Sequence, residues 1–181
     1  MDHASAPPLD TERLTLRGHR REDLADLTAL WGDPEVTRYI GGKPNTPEEV
    51  WGKLMRMVGH WPLVGYGYWV VREKATDRFV GEVGYADFLR DMEPSLAGLP
   101  EAGWVIAPAM HGRGYATEAV AAALGWLEAH HAPAATACMI DDGNAASVRV
   151  ADKLGYLPWM PGTYKGAAVQ LYRRGLTLRA G

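Results

Sequence analysis

The sequence predicts an α/β fold of the α+β kind, and three observations carry that expectation. Residues 101–117, EAGWVIAPAMHGRGYAT, run from an apolar strand into a loop with two glycines and straight into a strongly helical stretch. Two amphipathic helical stripes, at 24–31 and 46–61, precede two paired strand patterns. The 181 residues with 47% apolar content are most simply one domain able to bury a real core.

The elements follow in order. Residues 1–8 (MDHASAPP) are small, polar and proline-ended and read as a disordered tail before a single domain at 9–181. Leu14 to Arg17 alternates as a strand does. Leu24, Leu27, Leu30 and Trp31 keep helical spacing until Gly32-Asp-Pro34 stops them. Thr46-Pro-Glu-Glu49 starts a second helix, with Thr46 as cap, Pro47 in the first position and Glu49 closing a capping box. Val50, Trp51, Leu54, Val58 and Trp61 form its apolar stripe, which predicts core packing for both tryptophans, and Pro62 and Gly65 end it.

Tyr66 to Arg72 and Phe79 to Phe88 read as antiparallel strands joined by a short polar turn, and 89–100 as a loop. The strand 101–107 and its glycine loop precede a helix whose buried face is Ala116, Ala119, Val120, Ala123, Leu124 and Leu127. Ala134 to Ile140 is a strand, Asn144 to Leu154 a helix closed by Gly155, Leu157 opens a short strand, and Val169 to Arg173 is the last. The resulting order is β-α-α-β-β-β-α-β-α-β-β.

Composition narrows the function. A formal charge of −3 gives no electrostatic reason to expect nucleic acid. There is no 18-residue apolar run to span a membrane, and the acidic N-terminus does not look like a secretory leader, so a cytoplasmic protein is expected. The one cysteine, Cys138, sits in an apolar run and reads as a buried, inert thiol. His130 and His131 lack metal-site spacing, so no metal is expected. Trp159, between two prolines, lines a pocket or covers the core; both readings stand.

The glycine loop carries the chemistry. A glycine-rich turn before a helix N-terminus presents unpaired N–H groups at the positive end of the dipole, which suits phosphate. No Gly-Lys-Ser/Thr follows, so this is not a P-loop, and GxGxxG is absent. His111-Gly112-Arg113-Gly114-Tyr115-Ala116 resembles the acyl-CoA loop of the GNAT acetyltransferases, with His111 where that pattern has Gln or Arg. The extension through Ala119 resembles the branch of the ribosomal-protein N-terminal acetyltransferases. Residues 9–17, 31–39 and 144–156 resemble further segments of that branch, in order, so the likeness spans roughly 9–174.

The resemblance implies a mixed, largely antiparallel sheet flanked by four helices, with the fourth and fifth strands (101–107 and 134–140) parallel and splayed. It implies acetyl-CoA as co-substrate, with Val105, Ile106 and Ala107 along the pantetheine. His111, Gly112, Arg113, Gly114, Tyr115, Ala116 and Thr117 are then at the pyrophosphate, and Asn144 and Ser147 near the reacting end. Arg113 and Thr117 also read as a surface arginine and a helix cap, and Asn144 as an N-cap. The reaction implied is direct attack of a primary amine on the thioester, helped by a base and an acid. The family's usual tyrosine falls at Ala151, so Ser147, Tyr156, Tyr164 or water must donate the proton. Glu101, then Glu82, are the candidate bases, with Asp87 also considered.

The acceptor loops implied are 33–46 and 87–100, and Asp87, Asp91 and Glu93 in the second tilt the reading toward a cationic amine. Members of the family often dimerise, so a homodimer is one expected assembly. An acyl-CoA-binding module with little catalysis is the alternative, and a nucleotide-binding regulatory domain a third reading of the same loop.

Overall fold

Leu14 and Leu16 are fully buried while Thr15 and Arg17 are half-exposed, and this alternation seats their strand against one face of the core. The computed structural model describes residues 5–175. Its first elements are β1 (Leu9–Asp10), β2 (Leu14–Arg17), α1 (Leu24–Trp31), α2 (Pro34–Thr37) and α3 (Pro47–Val64). Then come β3 (Tyr68–Glu73), β4 (Phe79–Ala86), β5 (Met92–Glu93) and β6 (Glu101–Ile106). The chain closes with α4 (Tyr115–His131), β7 (Ala135–Asp141), α5 (Ala145–Lys153), β8 (Leu157–Tyr164) and β9 (Ala167–Gly175). All nine strands form one sheet in the order β1-β2-β3-β4-β6-β7-β9-β8-β5. Every neighbouring pair is antiparallel except β6 and β7, which run parallel. Among the described residues no helix is long and apolar enough to cross a membrane.

Five helices flank the sheet rather than the four expected. The extra one, α2, is a single turn that starts on Pro34, with the Asp33 carboxylate accepting the Glu35 N–H; Gly32-Asp-Pro ends α1 but also starts its successor. Helix α3 begins as expected, with Thr46 and Glu49 in a reciprocal capping box. It runs past Pro62, because proline so near the end removes only one intrahelical bond, and it stops at Gly65, left-handed at φ 86°. Its buried face is Val50, Leu54, Met57 and Trp61, the i, i+4, i+7, i+11 row. Trp51 and Val58 lie about 100° further round, 39% and 49% exposed, so only part of the expected stripe is core.

The expected tail falls partly on residues 1–4, outside the described residues. Its remainder is held: Ala6 packs on the core and the Trp69 indole N–H donates to the Pro7 carbonyl at 2.7 Å. The loop 89–100 contains β5, which pairs with β8, itself eight residues long rather than short.

The two faces of the sheet differ. Helix α4 covers one, where Trp61, Trp69 and Trp126 meet edge to face with Tyr85, Tyr156 and Leu127 around them. Cys138 is buried in this layer, and burial pushes its thiol pKa well up. Helices α1 and α3 cover the other face through Leu27, Leu30, Trp31, Val50 and Leu54 against Val105.

Candidate active site

The site is built around the parting of β6 from β7. Registered pairing between these strands is confined to Glu101↔Ala137, where Pro100 accepts the Ala137 N–H at 3.1 Å. Towards Ile106 and Asp141 the ladder is not continued. Meanwhile β6 pairs fully with β4, from Ala86↔Glu101 to Gly81↔Ile106. The Ala107 N–H donates to the Val80 carbonyl and the Val105 carbonyl lies against Gly81, so the backbones of Val105 and Ala107 turn to β4. By antiparallel alternation those of Trp104 and Ile106 turn to the open side. His111 reaches back from the loop, and its Nε2 lies 2.8 Å from the Ile106 carbonyl oxygen. His111, where the pattern has Gln or Arg, is thereby used to tie down the end of β6.

The glycine loop leads into α4 as the sequence implied. Gly112 and Gly114 are left-handed, at φ 74° and 78°, a backbone that favours glycine, and no atom would meet a Cβ on Gly112 within 4 Å. Gly114 is the N-cap of α4, and no side chain caps the helix, Thr117 included. The first-turn N–H groups of Tyr115, Ala116 and Thr117 are thus available to an anion.

The back of the loop is tied to the sheet edge. Arg13 donates to the Arg113 carbonyl at 3.0 Å, pairs with Glu118 at 2.6 Å and stands 4.7 Å over the Tyr115 ring. Glu118 also accepts from the Thr11 hydroxyl at 2.6 Å. Burial would raise the Glu118 carboxyl, but the hydroxyl and the arginine outweigh it and hold its pKa below the usual range. The Tyr115 hydroxyl donates to Glu73, which Arg113 also approaches at 3.4 Å. Arg113 therefore has a partner within the protein.

Across the opening, Asn144 caps α5 by accepting the Ser147 N–H at 3.1 Å. The Trp104 indole N–H donates to Ser147 Oγ at 3.2 Å and so links β6 to the first turn of α5. An accepted bond leaves the Ser147 proton free to be donated. Ala151, in the place of the family's tyrosine, is fully buried. Tyr156 is committed to the core, hydrogen-bonded to Tyr85 at 3.2 Å and Thr136 at 2.8 Å, with burial pushing its pKa up to about 12.

The two candidate bases differ. Both oxygens of Glu101 are taken by Arg90, at 2.7 and 2.8 Å. Glu82 is buried on β4 opposite Val105; it accepts the Trp31 indole N–H at 2.9 Å and lies 2.8 Å from His19 Nε2, whose side chain is fully buried. His19 was not singled out in the sequence, because nothing local to GHRRED reveals a partner sixty-three residues away. Between the two glutamates the Tyr68 hydroxyl lies over Gly103, so close that a Cβ there would stand 1.9 Å from its oxygen. Burial, then Glu101 and Glu82, raise the Tyr68 pKa.

Of the acidic residues in the 87–100 loop, Asp87 lines a cavity with Arg90, Leu96 and Glu101. Asp87 accepts the Leu89 N–H at 3.2 Å and lies by Tyr66, whose pKa is pushed up to about 12 by burial and by that carboxylate. Asp91 and Glu93 are solvent-exposed. Trp159 packs with Met92, Leu96 and Leu171 and so covers core. Among the described residues no group of three or more His, Cys, Asp or Glu is placed to hold a metal.

The glycine loop and the uncapped start of α4 thus follow the end of β6, beyond its single registered pair with β7. The family model for the GNAT acetyltransferase domain matches residues 13–157, and the chain belongs to that family. The chain is 32% identical to the Bacillus subtilis protein YkkB over 151 residues, 81% of this chain and 83% of that one. It superposes on a GNAT-family acetyltransferase from Bordetella pertussis with a TM-score of 0.82 at 26% identity, covering 93% and 99% of the two chains. The spermidine N-acetyltransferase of Vibrio cholerae, solved with CoA and spermine, shares the fold at 18% identity, with a TM-score of 0.72 over 91% and 96% of the chains. The protein is an acetyl-CoA-dependent N-acetyltransferase.

Proposed function

We propose that this enzyme acetylates a primary amine by direct attack, with the pantetheine arm of acetyl-CoA lying between β6 and β7. The observation that carries the reading is the single registered pair between these strands beside a fully paired β4–β6 ladder. The open edge of β6 supplies the backbone groups of Trp104 and the Ile106 N–H, the Ile106 carbonyl being held by His111, and an amide-bearing arm can use them as an added strand. The backbone from Gly112 to Ala116, with Thr117 at the end of the first turn, holds the pyrophosphate.

When bound, the thioester supplies the acyl carbon that the acceptor nitrogen attacks. The chain's own residues then move two protons. Glu82 takes one from the incoming ammonium through water; its partners are a neutral indole N–H and His19, whereas both oxygens of Glu101 are held by the Arg90 guanidinium. Ser147 relays the second, giving its hydroxyl proton to the departing sulfur and recovering one from the attacking nitrogen, its hydroxyl oriented by the Trp104 bond. A homodimer would use the exposed apolar row of α3, Trp51, Met55 and Val58, and sedimentation equilibrium tests it.

The transfer itself is tested by mass-resolved acetylation of a panel of primary amines with wild type, Ser147→Ala and Glu82→Gln. The reading expects acetylated product from wild type and a loss in kcat on the order of 100-fold in each variant. Bound acetyl-CoA with no acetylated amine would contradict it and leave an acyl-CoA-binding module.

A further inference from the structure

The chain carries a net negative charge, yet the side chains that converge where β6 and β7 come together are basic. Lys53 and Arg56 sit three residues apart on one face of α3. The Lys53 ammonium stands 4.0 Å over the Trp31 ring. The guanidinium groups of Arg56 and Arg90 share the Phe88 ring, at 5.8 and 4.5 Å. Arg90 also stands 4.7 Å from the Tyr164 ring, and the Lys165 ammonium 5.4 Å from it. Four cations from α3, the segment after β4 and the β8–β9 turn are thus gathered around three rings.

Their charge is only partly compensated. Arg90 alone has a carboxylate partner, Glu101; among the described residues none forms an ion pair with Lys53, Arg56 or Lys165. Glu82, behind Trp31, partly offsets Lys53, and Asp87 lines the cavity beside Arg90 and Glu101, so two carboxylates besides Glu101 stand near the cluster. Burial first, and then Arg56, with Lys165 and Arg90 behind it, lower the Lys53 pKa against the opposing pull of Glu82, as expected where like charges crowd in a half-dry setting. The cluster is not the phosphate site. It adjoins Glu101, whereas the glycine loop lies beyond Ile106, and six strand residues separate the two by roughly 17 Å.

We infer that the acceptor is an anionic amine, one with a carboxylate close to the nitrogen that reacts. This rests on the proposed function above and names its substrate class. The carboxylate offsets the repulsion among Lys53, Arg56 and Lys165, while a polyamine would add to it. The aromatic faces fix where the basic side chains sit, so the cluster is held in place rather than free to reorient.

The test measures kcat/KM for matched acceptors. One arm compares the amidated tripeptides Ala-Glu-Glu and Ala-Lys-Lys, and the other compares free glutamate with its diamide; spermidine is the polyamine control. The anionic member of a pair is expected to be favoured at least about tenfold, in KM, with the preference shrinking as salt is raised. Which arm shows it separates an acidic peptide N-terminus from a free amino acid. The double variant Arg56→Glu/Lys165→Glu, with its acetyl-CoA affinity measured as the control for fold, is expected to remove or invert the preference. Acetylation of spermidine or Ala-Lys-Lys at equal or higher efficiency, or a preference unmoved in the folded double variant, overturns the inference alone. Acetyl-CoA binding with neither series acetylated overturns the transferase reading along with it.

Discussion

The two ends of β6 are built by different means. Beyond Ile106 it is by backbone, two left-handed glycines and the uncapped start of α4, held from behind by Arg13, Glu73 and Tyr115 and proposed above to hold the pyrophosphate. At Glu101 it is by side chains drawn from α3, the segment after β4 and the β8–β9 turn. The first needs a few consecutive residues in one conformation. The second needs the whole fold. A co-substrate common to the family is therefore met by local geometry, and the particular acceptor by residues that meet only after folding.

The contrast is sharpened most by Glu101→Ala. It strands Arg90, whose side chain is only 19% exposed, and should cost about 3 kcal/mol of stability in urea unfolding. A glutamate serving only as catalytic base would leave stability unmoved. Next in size, Ser147→Ala should lower kcat on the order of 100-fold with acetyl-CoA affinity unchanged. An unchanged kcat would remove Ser147 from the chemistry. Arg13→Ala tests the other end: losing its bonds to Arg113 and Glu118 should weaken acetyl-CoA binding by about tenfold in calorimetry, with the acceptor KM unaffected. If acceptor KM moves as much, the two ends are not separate devices.

The smallest effect is on acid stability. Glu118 and Asp23 have pKa values lowered in the folded protein, in both cases against burial, Glu118 by Thr11 and Arg13 and Asp23 by Arg17 and the Arg20 N–H. Depressed carboxyl values contribute stability that is present above the unfolded value of about 4 and lost as pH falls through the folded ones. Glu118→Gln should reduce stability by about 1 kcal/mol at pH 7 and flatten the acid limb of a urea-midpoint profile. An acid limb as steep as wild type would contradict this.

The same division explains what was legible in the sequence. The strand, glycine loop and helix of 101–131 announce themselves because turn, cap and apolar period occupy adjacent residues. Asn144 and Gly155, at the two ends of α5, read for the same reason. Trp51 misled because one step along α3 turns a side chain about 100°, from core to solvent. α2 was hidden by Gly32-Asp-Pro34, a sequence that both stops and starts helices. Glu101 and Glu82 were recognisable as candidates but not distinguishable, since their partners Arg90, Trp31 and His19 are set by sheet register and helix packing. The acidic residues of 87–93 are visible as loop composition and point to a cationic acceptor, whereas the convergence of Lys53, Arg56 and Lys165, on which the opposite proposal rests, forms only on folding.

The most direct test of the central claim is isothermal titration of acetyl-CoA into wild type and Gly114→Trp. The account predicts micromolar binding by wild type and none by the variant, whose side chain would have to adopt a left-handed backbone at the anion's approach. Equal binding by both, or none by folded wild type, would contradict the glycine loop as the site that holds the co-substrate.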